Sequence, residues 1–95
     1  MLDIRFTPEA ESTYRALVDQ LQSQWGEKYV SRFEVKVEKV LNQISISPAM
    51  YPIVLENHEL RRCVLHKNCS LFYKVYDDYI LITWFWDNRQ QPLVT

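Results

Sequence analysis

Leu2, Ile4 and Phe6 alternate with Asp3 and Arg5 at the start of the chain, the period-two pattern of a short strand with one buried face. The period then changes. Ala10, Tyr14, Leu17, Val18, Leu21 and Trp25 recur at helical spacing on one stripe, which predicts a helix opening at Pro8. Thr7 supplies an N-cap hydroxyl, Pro8 a ring preset for the first turn, and Glu9 a carboxylate at the positive end of the helix dipole. Gly26, the only glycine, stands where a helix C-terminus needs a residue tolerant of positive φ. A second stripe, Val30, Phe33, Val37, Val40, Leu41 and Ile44, runs up to Ser47-Pro48, where the proline stops it. A short turn between two such stripes implies an antiparallel helical hairpin.

Prolines 48 and 52 break the segment Pro48 to Glu59, within which Ile53-Val54-Leu55 suits a short extended piece. Leu60 to Leu65, Leu71 to Tyr76 and Tyr79 to Trp86 are rich in β-branched and aromatic residues, with Lys67-Asn68 and Asp77-Asp78 as polar turns of hairpin length. The expected architecture is α+β in the order β-α-α-β-β-β, with the hairpin packed on one face of a mainly antiparallel four-stranded sheet. Read at period two, the last strand points Ile80, Ile82, Trp84 and Trp86 one way and Leu81 and Phe85 the other, with Thr83 the only polar residue among them. Both faces of that strand are apolar, yet one pair of helices covers one side only. Aromatic rings bury roughly 150 to 250 Å² each, so two or three left uncovered approach the size of an interface patch. A partner chain, or the N-terminal and linker segments, is expected to cover the second face.

Composition narrows the picture. The 95 residues suit a single domain spanning 1–95, and 47% hydrophobic residues are ample for one core. No apolar run approaches the ~20 residues of a membrane span, and Met1-Leu2-Asp3-Ile4-Arg5 lacks the basic flank and apolar core of a signal peptide. A cytoplasmic location is expected, with Cys63 and Cys69 reduced. A net charge of -1 argues against binding nucleic acid over the whole surface. Locally the balance differs: Leu60 to Tyr76 carries Arg61, Arg62, Lys67 and Lys74 and no carboxylate, whereas Asp3, Glu9, Glu11 and Asp19 make the N-terminal part acidic. Lys28, Arg32, Lys36 and Lys39 oppose the second apolar stripe, as a solvated helix face does.

Several chemistries are disfavoured. A single glycine does not supply a phosphate-cradling loop or a dinucleotide fingerprint, and no cofactor is expected. Cys63, Cys69, His58 and His66 are metal-type residues, but without a Cys-x-x-Cys or a matching His pair no metal site is expected. Nothing like a nucleophile elbow surrounds Ser70 or Ser45; His66 is placed as a general base near a turn or as a solvated histidine. What remains is the cationic set Arg61, Arg62, Lys67, Lys74 and Arg89, interleaved with Phe72, Tyr73, Tyr76 and Tyr79. Guanidiniums recognise phosphates or carboxylates and aromatic faces stack bases, so the mixture suits RNA. It equally suits a protein, or a sheet whose aromatics are core and whose cations are solvated.

Thr7-Pro8-Glu9-Ala10 at the first helix, Pro48 after the second, Leu60-Arg61-Arg62, Phe72-Tyr73-Lys74-Val75 and Asp87-Asn88-Arg89-Gln90-Gln91-Pro92 together resemble the RelE/ParE superfamily of bacterial toxins. The resemblance covers nearly the whole chain. It implies the toxin of a type II toxin-antitoxin (plasmid stabilisation) system, with a helical hairpin on an antiparallel sheet and a cognate antitoxin that wraps the domain in a hetero-oligomer. Phe72, Tyr76, Trp84, Trp86, Asp87 and Arg89 are the expected partner contacts; Arg61, Arg62, Lys67, Lys74 and Arg89 are the candidates for target or phosphate contact. Ribosome-dependent members cleave messenger RNA with basic side chains that include an arginine at the start of the third strand. This chain has Ser70 there, and nothing after Arg89 titrates usefully before Thr95. ParE-like members resemble it in lacking those groups and are associated with inhibition of DNA gyrase. The resemblance therefore implies growth arrest by a non-catalytic gyrase inhibitor, with a ribosome-dependent mRNA endonuclease as the alternative and a non-toxic interaction domain on the same fold as a third possibility.

Overall fold

Thr7 joins the first strand to the first helix and fixes both. In the computed structural model, which describes residues 1–66 and 69–87, its Oγ1 accepts from the Ala10 N–H at 2.9 Å, closing the helix N-terminus, and donates to the Thr83 carbonyl at 2.6 Å. Strand β1 (Asp3–Phe6) thus leads into α1 (Pro8–Trp25). Gly26 alone separates α1 from α2 (Glu27–Ile46). Its φ of +88° is one that a side chain would strain, and its N–H closes α1 on the Gln22 carbonyl at 3.0 Å. Helix α2 ends as read, with the Ser47 N–H on the Gln43 carbonyl at 2.8 Å just before Pro48.

Both stripes face the sheet, with Ala10, Leu17 and Leu21 of α1 and Val30, Phe33, Val37, Val40 and Ile44 of α2 buried. Trp25 departs from the expected stripe and is 62% exposed. At the last turn of α1 it stacks on Tyr29, with ring centroids 5.7 Å apart, instead of entering the core.

The remaining strands are β2 (Ile53–Val54), β3 (Asn57–His66), β4 (Cys69–Val75) and β5 (Tyr79–Asp87), in the sheet order β1-β5-β4-β3-β2. Strand β1 runs parallel to β5, and the other pairs are antiparallel. The expected architecture stands with one addition: the short extended piece pairs with β3 as a fifth, two-residue edge strand. The Lys67-Asn68 turn lies outside the described residues.

One irregularity reorients the final strand. Phe72 pairs with Trp84 but Tyr73 pairs with Ile82, which leaves Thr83 as an extra residue. Such a bulge shifts the side-chain alternation by one. Ile80, Ile82 and Phe85 therefore enter the core under the helices, while Trp84 and Trp86 pack in a second cluster with Val54, Leu60 and Phe72. This corrects the period-two reading, in which Ile80, Ile82, Trp84 and Trp86 shared a face opposite Phe85. Helix and strand chemistry combine at the bulge. Thr83 Oγ1 donates to the Phe72 carbonyl at 3.0 Å, and the Phe85 N–H donates to Thr13 Oγ1 of α1 at 2.9 Å. Val54 of the linker joins the cluster on the second face as part of edge strand β2, extending that face at its edge.

Candidate functional site

Among the described residues no helix covers the other face of the sheet, here called the open face, and the strand registers fix what it displays. At one end Trp86 lies beside Ser70 and Ser70 beside Val64; in the next row Trp84 lies beside Phe72 and Phe72 beside Arg62. Phe72 and Trp84 place their rings 5.5 Å apart, and the Arg62 guanidinium lies 6.0 Å from the Phe72 centroid, at the outer limit of a cation–π contact. Arg62 Nε donates to Ser70 Oγ at 3.0 Å, and Ser70 has no exposed surface. Both indole nitrogens, Trp84 Nε1 and Trp86 Nε1, are buried without a hydrogen-bond partner among the described residues. A buried donor left unmade costs about 1–3 kcal/mol.

The adjacent arginines part company. Arg62 is on the open face, while Arg61 faces the helix side and donates to the Tyr51 carbonyl at 2.7 Å, and at 3.4 Å to that of Ala49. Arg61 therefore pins the linker. Lys74 stands on the open face, 3.8 Å from Glu59. Tyr76 is on the same face at the β4–β5 turn, and Asp87 ends β5 opposite Cys69. Lys67 and Arg89 lie outside the described residues. The open face thus gathers Arg62, Lys74, Phe72, Tyr76, Trp84 and Trp86 and does not include Arg61.

Among the described residues, His66, the thiols and the buried phenol are turned or held away from the open face. A bulge at Leu65 turns His66 toward the helix side, where its Nε2 is hydrogen-bonded to the Tyr29 hydroxyl. His58 sits at the far end of β3. Burial raises the Cys63 thiol and pushes that of Cys69 up to about 12, so neither is a ready nucleophile. Burial also lifts the Tyr73 phenol to about 12 against the pull of Arg61; its hydroxyl donates to the Pro48 carbonyl at 2.8 Å. Among the described residues no group of three or more His, Cys, Asp or Glu is placed to hold a metal ion, and no helix is long and apolar enough to cross a membrane.

Two features escaped the sequence. Arg5, read as the polar side of β1, reaches the open face because β1 pairs in parallel with β5; no local pattern signals that partner. On the helix side, Phe6, Tyr14, Val18, Val37, Leu41 and Phe85 line a groove of about 630 Å³ whose lining also includes Glu11, Glu34 and Glu38. The half-buried positions of both stripes supply it, and only the spacing of the helices reveals it.

Residues 4–92 match the family described as the ParE toxin of type II toxin-antitoxin systems, parDE. In three dimensions the chain is similar to a chain of the chromosomal ParDE system from P. aeruginosa, with a TM-score of 0.75 at 15% identity, covering 92% of this chain and 96% of that one. It is also similar to a chain of the E. coli DinJ-YafQ toxin-antitoxin complex (TM-score 0.65, 12% identity, 99% and 98% covered). The YoeB dimer from Staphylococcus aureus gives 0.62 at 19% identity, with 87% and 92% covered. No curated protein matches the sequence at a significant level.

Proposed function

The chain belongs to the ParE toxin family of type II toxin-antitoxin systems, and from that premise we propose that it arrests bacterial growth by docking on DNA gyrase without chemistry of its own. A cognate antitoxin neutralises it. The observation that carries the non-catalytic reading is the setting of Arg62. Its Nε is committed to the buried Ser70 hydroxyl, and its surroundings are Phe72, Trp84, Trp86 and Val64. An arginine set among aromatic rings has the composition of a protein-docking centre. The antitoxin reading draws support from Trp84 and Trp86, half-buried beside Phe72 on the face away from the helices, and from the E. coli likeness, itself part of a toxin-antitoxin complex. Phe72, Trp84 and Trp86, with Tyr76, Asp87 and Arg89 at the margins, are its proposed contacts.

Expression alone should stop growth, and co-expression with the adjacent short reading frame should restore it; unaffected growth would overturn the toxin reading. With purified components, loss of gyrase supercoiling is the expected result. A second reading, ribosome-dependent cleavage of messenger RNA, is favoured by one observation: Arg62 and Lys74 share a face with rings able to stack bases. Cleavage of ribosome-bound messenger with supercoiling untouched would select it.

A further inference from the structure

Beyond Leu81 the open face is built differently, and its residues form a row across the strands. Arg5 of β1 places its guanidinium carbon 4.1 Å from the Tyr79 ring centroid. Tyr79 of β5 stacks in turn on Tyr76, just after β4, with centroids 4.8 Å apart and planes 17° from parallel. The turn holds this geometry, since the Tyr76 N–H donates to the Tyr79 carbonyl at 2.9 Å across Asp77 and Asp78. On the β3 side of Tyr76 the row ends at a cleft of about 230 Å³ that draws on both faces of β3 and β4, lined by His58, Glu59, Arg61, Lys74, Val75 and Tyr76.

We infer that this cleft is a binding site for a nucleoside phosphate, with the base stacked on Tyr76 and the phosphate held by Lys74. Four observations converge. Tyr76 is 41% exposed although its ring is already ordered by the Tyr79 and Arg5 stack, so little side-chain freedom remains to be lost on binding. The volume is below that of drug-sized pockets and suits one ring system with its substituent. Two cations against one carboxylate leave the lining positive, and the Glu59 contact with Lys74, at 3.8 Å with Glu59 82% exposed, is a loose surface pair that an anion can replace. Arg61 stays with its linker carbonyls and contributes charge only. Asp77 and Asp78, although adjacent in the turn, are not among the lining residues. Every nucleobase offers a π-face attached to a phosphate, the combination this cleft accepts. The site is independent of which target the toxin arrests.

The test is titration of the full chain with the four ribonucleoside monophosphates, the matching nucleosides, and short single-stranded oligonucleotides, followed by NMR shifts of the Tyr76 and Lys74 signals. Monophosphates should bind more tightly than nucleosides. Tyr76→Ala should weaken binding about tenfold, Tyr76→Phe should retain it, and Lys74→Ala should abolish the preference for the phosphate. Val35→Ala, on the exposed side of α2, should change nothing. Circular dichroism of each variant separates lost binding from lost fold, and Tyr76→Leu provides a second apolar replacement without a π-face. Tighter binding of oligonucleotides identifies the source as an unpaired strand; equal or weaker binding identifies it as free nucleotide. No shift at millimolar monophosphate, or binding undiminished in both Tyr76→Ala and Tyr76→Leu, overturns the proposal.

Discussion

On the helix-covered side of the sheet Leu71, Tyr73, Ile80 and Ile82 have no exposed surface, and Tyr73 closes its one polar atom on the Pro48 carbonyl. On the open side Phe72 and Leu60 are as deeply buried, but their neighbours Trp84 and Trp86 remain half-buried with both indole donors unpartnered among the described residues. The same three strands build both faces. Burial and hydrogen bonding are settled together on the first, while on the second burial has run ahead of hydrogen bonding. A face in that state stabilises the fold less than its apolar area implies.

Truncation tests that difference most severely. Ile82→Ala removes a fully buried side chain from beneath the helices and should destabilise the domain by about 2–5 kcal/mol, read as a lower urea midpoint. Trp84→Ala removes a larger side chain but also an unsatisfied donor, so its effect on folding should be the smaller of the two. Its effect on antitoxin binding should be the larger, measured by titration of the complex. Equal losses of stability would remove the distinction between the faces.

Alkali should weaken the covered side next. The Cys69 thiol is raised by burial from its ordinary 9.0 to about 12, and the Tyr73 phenol from 10.0 to about 12. Groups whose folded pKa is raised keep their full contribution below the unfolded value and lose it as pH climbs to the folded one. Stability should therefore hold to about pH 9 and fall steeply toward pH 12, with Cys69→Ala shifting the onset upward. Neither thiol should react with a disulfide reagent at pH 8 until the protein unfolds.

Local chemistry made much of this fold legible. Thr7-Pro8, Gly26 and Ser47-Pro48 punctuate the helices as read, because caps and positive φ are demands made by one or two residues. The open face was less legible, and for one reason. Period-two reading carries each strand's faces forward without error only while the ladder is regular, and Thr83 interrupts it. Nothing in Ile82-Thr83-Trp84 signals a bulge, because the hydrogen bonds that hold it there come from residues more than ten positions away, Phe72, Thr7 and Thr13. The bulge also decided which aromatic residues would face a partner. The opposite fates of Arg61 and Arg62 follow from alternation within β3, yet the role of Arg61 depends on the linker folding back toward it.

A more modest effect tests the tie at the bulge. Thr7→Ala should cost about 1 kcal/mol for the lost cap, with Thr7→Ser recovering most of it; the same variant also removes the 2.6 Å bond to the Thr83 carbonyl. If the bulge depends on that bond, the amide signals of Thr83 and Trp84 should shift in Thr7→Ala and not in Thr7→Ser.

The smallest change in stability should accompany the sharpest change in function. Arg62 is an exposed side chain that bonds Ser70, so Arg62→Ala should alter folding by about 1 kcal/mol or less. Arg61→Ala, one residue away, releases the Tyr51 carbonyl and loosens the linker, which should lower stability more and act on toxicity only through the amount of folded protein. The pair separates a docking role from a structural one without changing the net charge between the two variants. Growth arrest at matched levels of folded protein should be lost in Arg62→Ala and kept in Arg61→Ala, with target affinity down about tenfold or more in the first. The reverse pattern would place the functional guanidinium at Arg61, against the linker carbonyls, and the open face would lose its claim to be the docking surface.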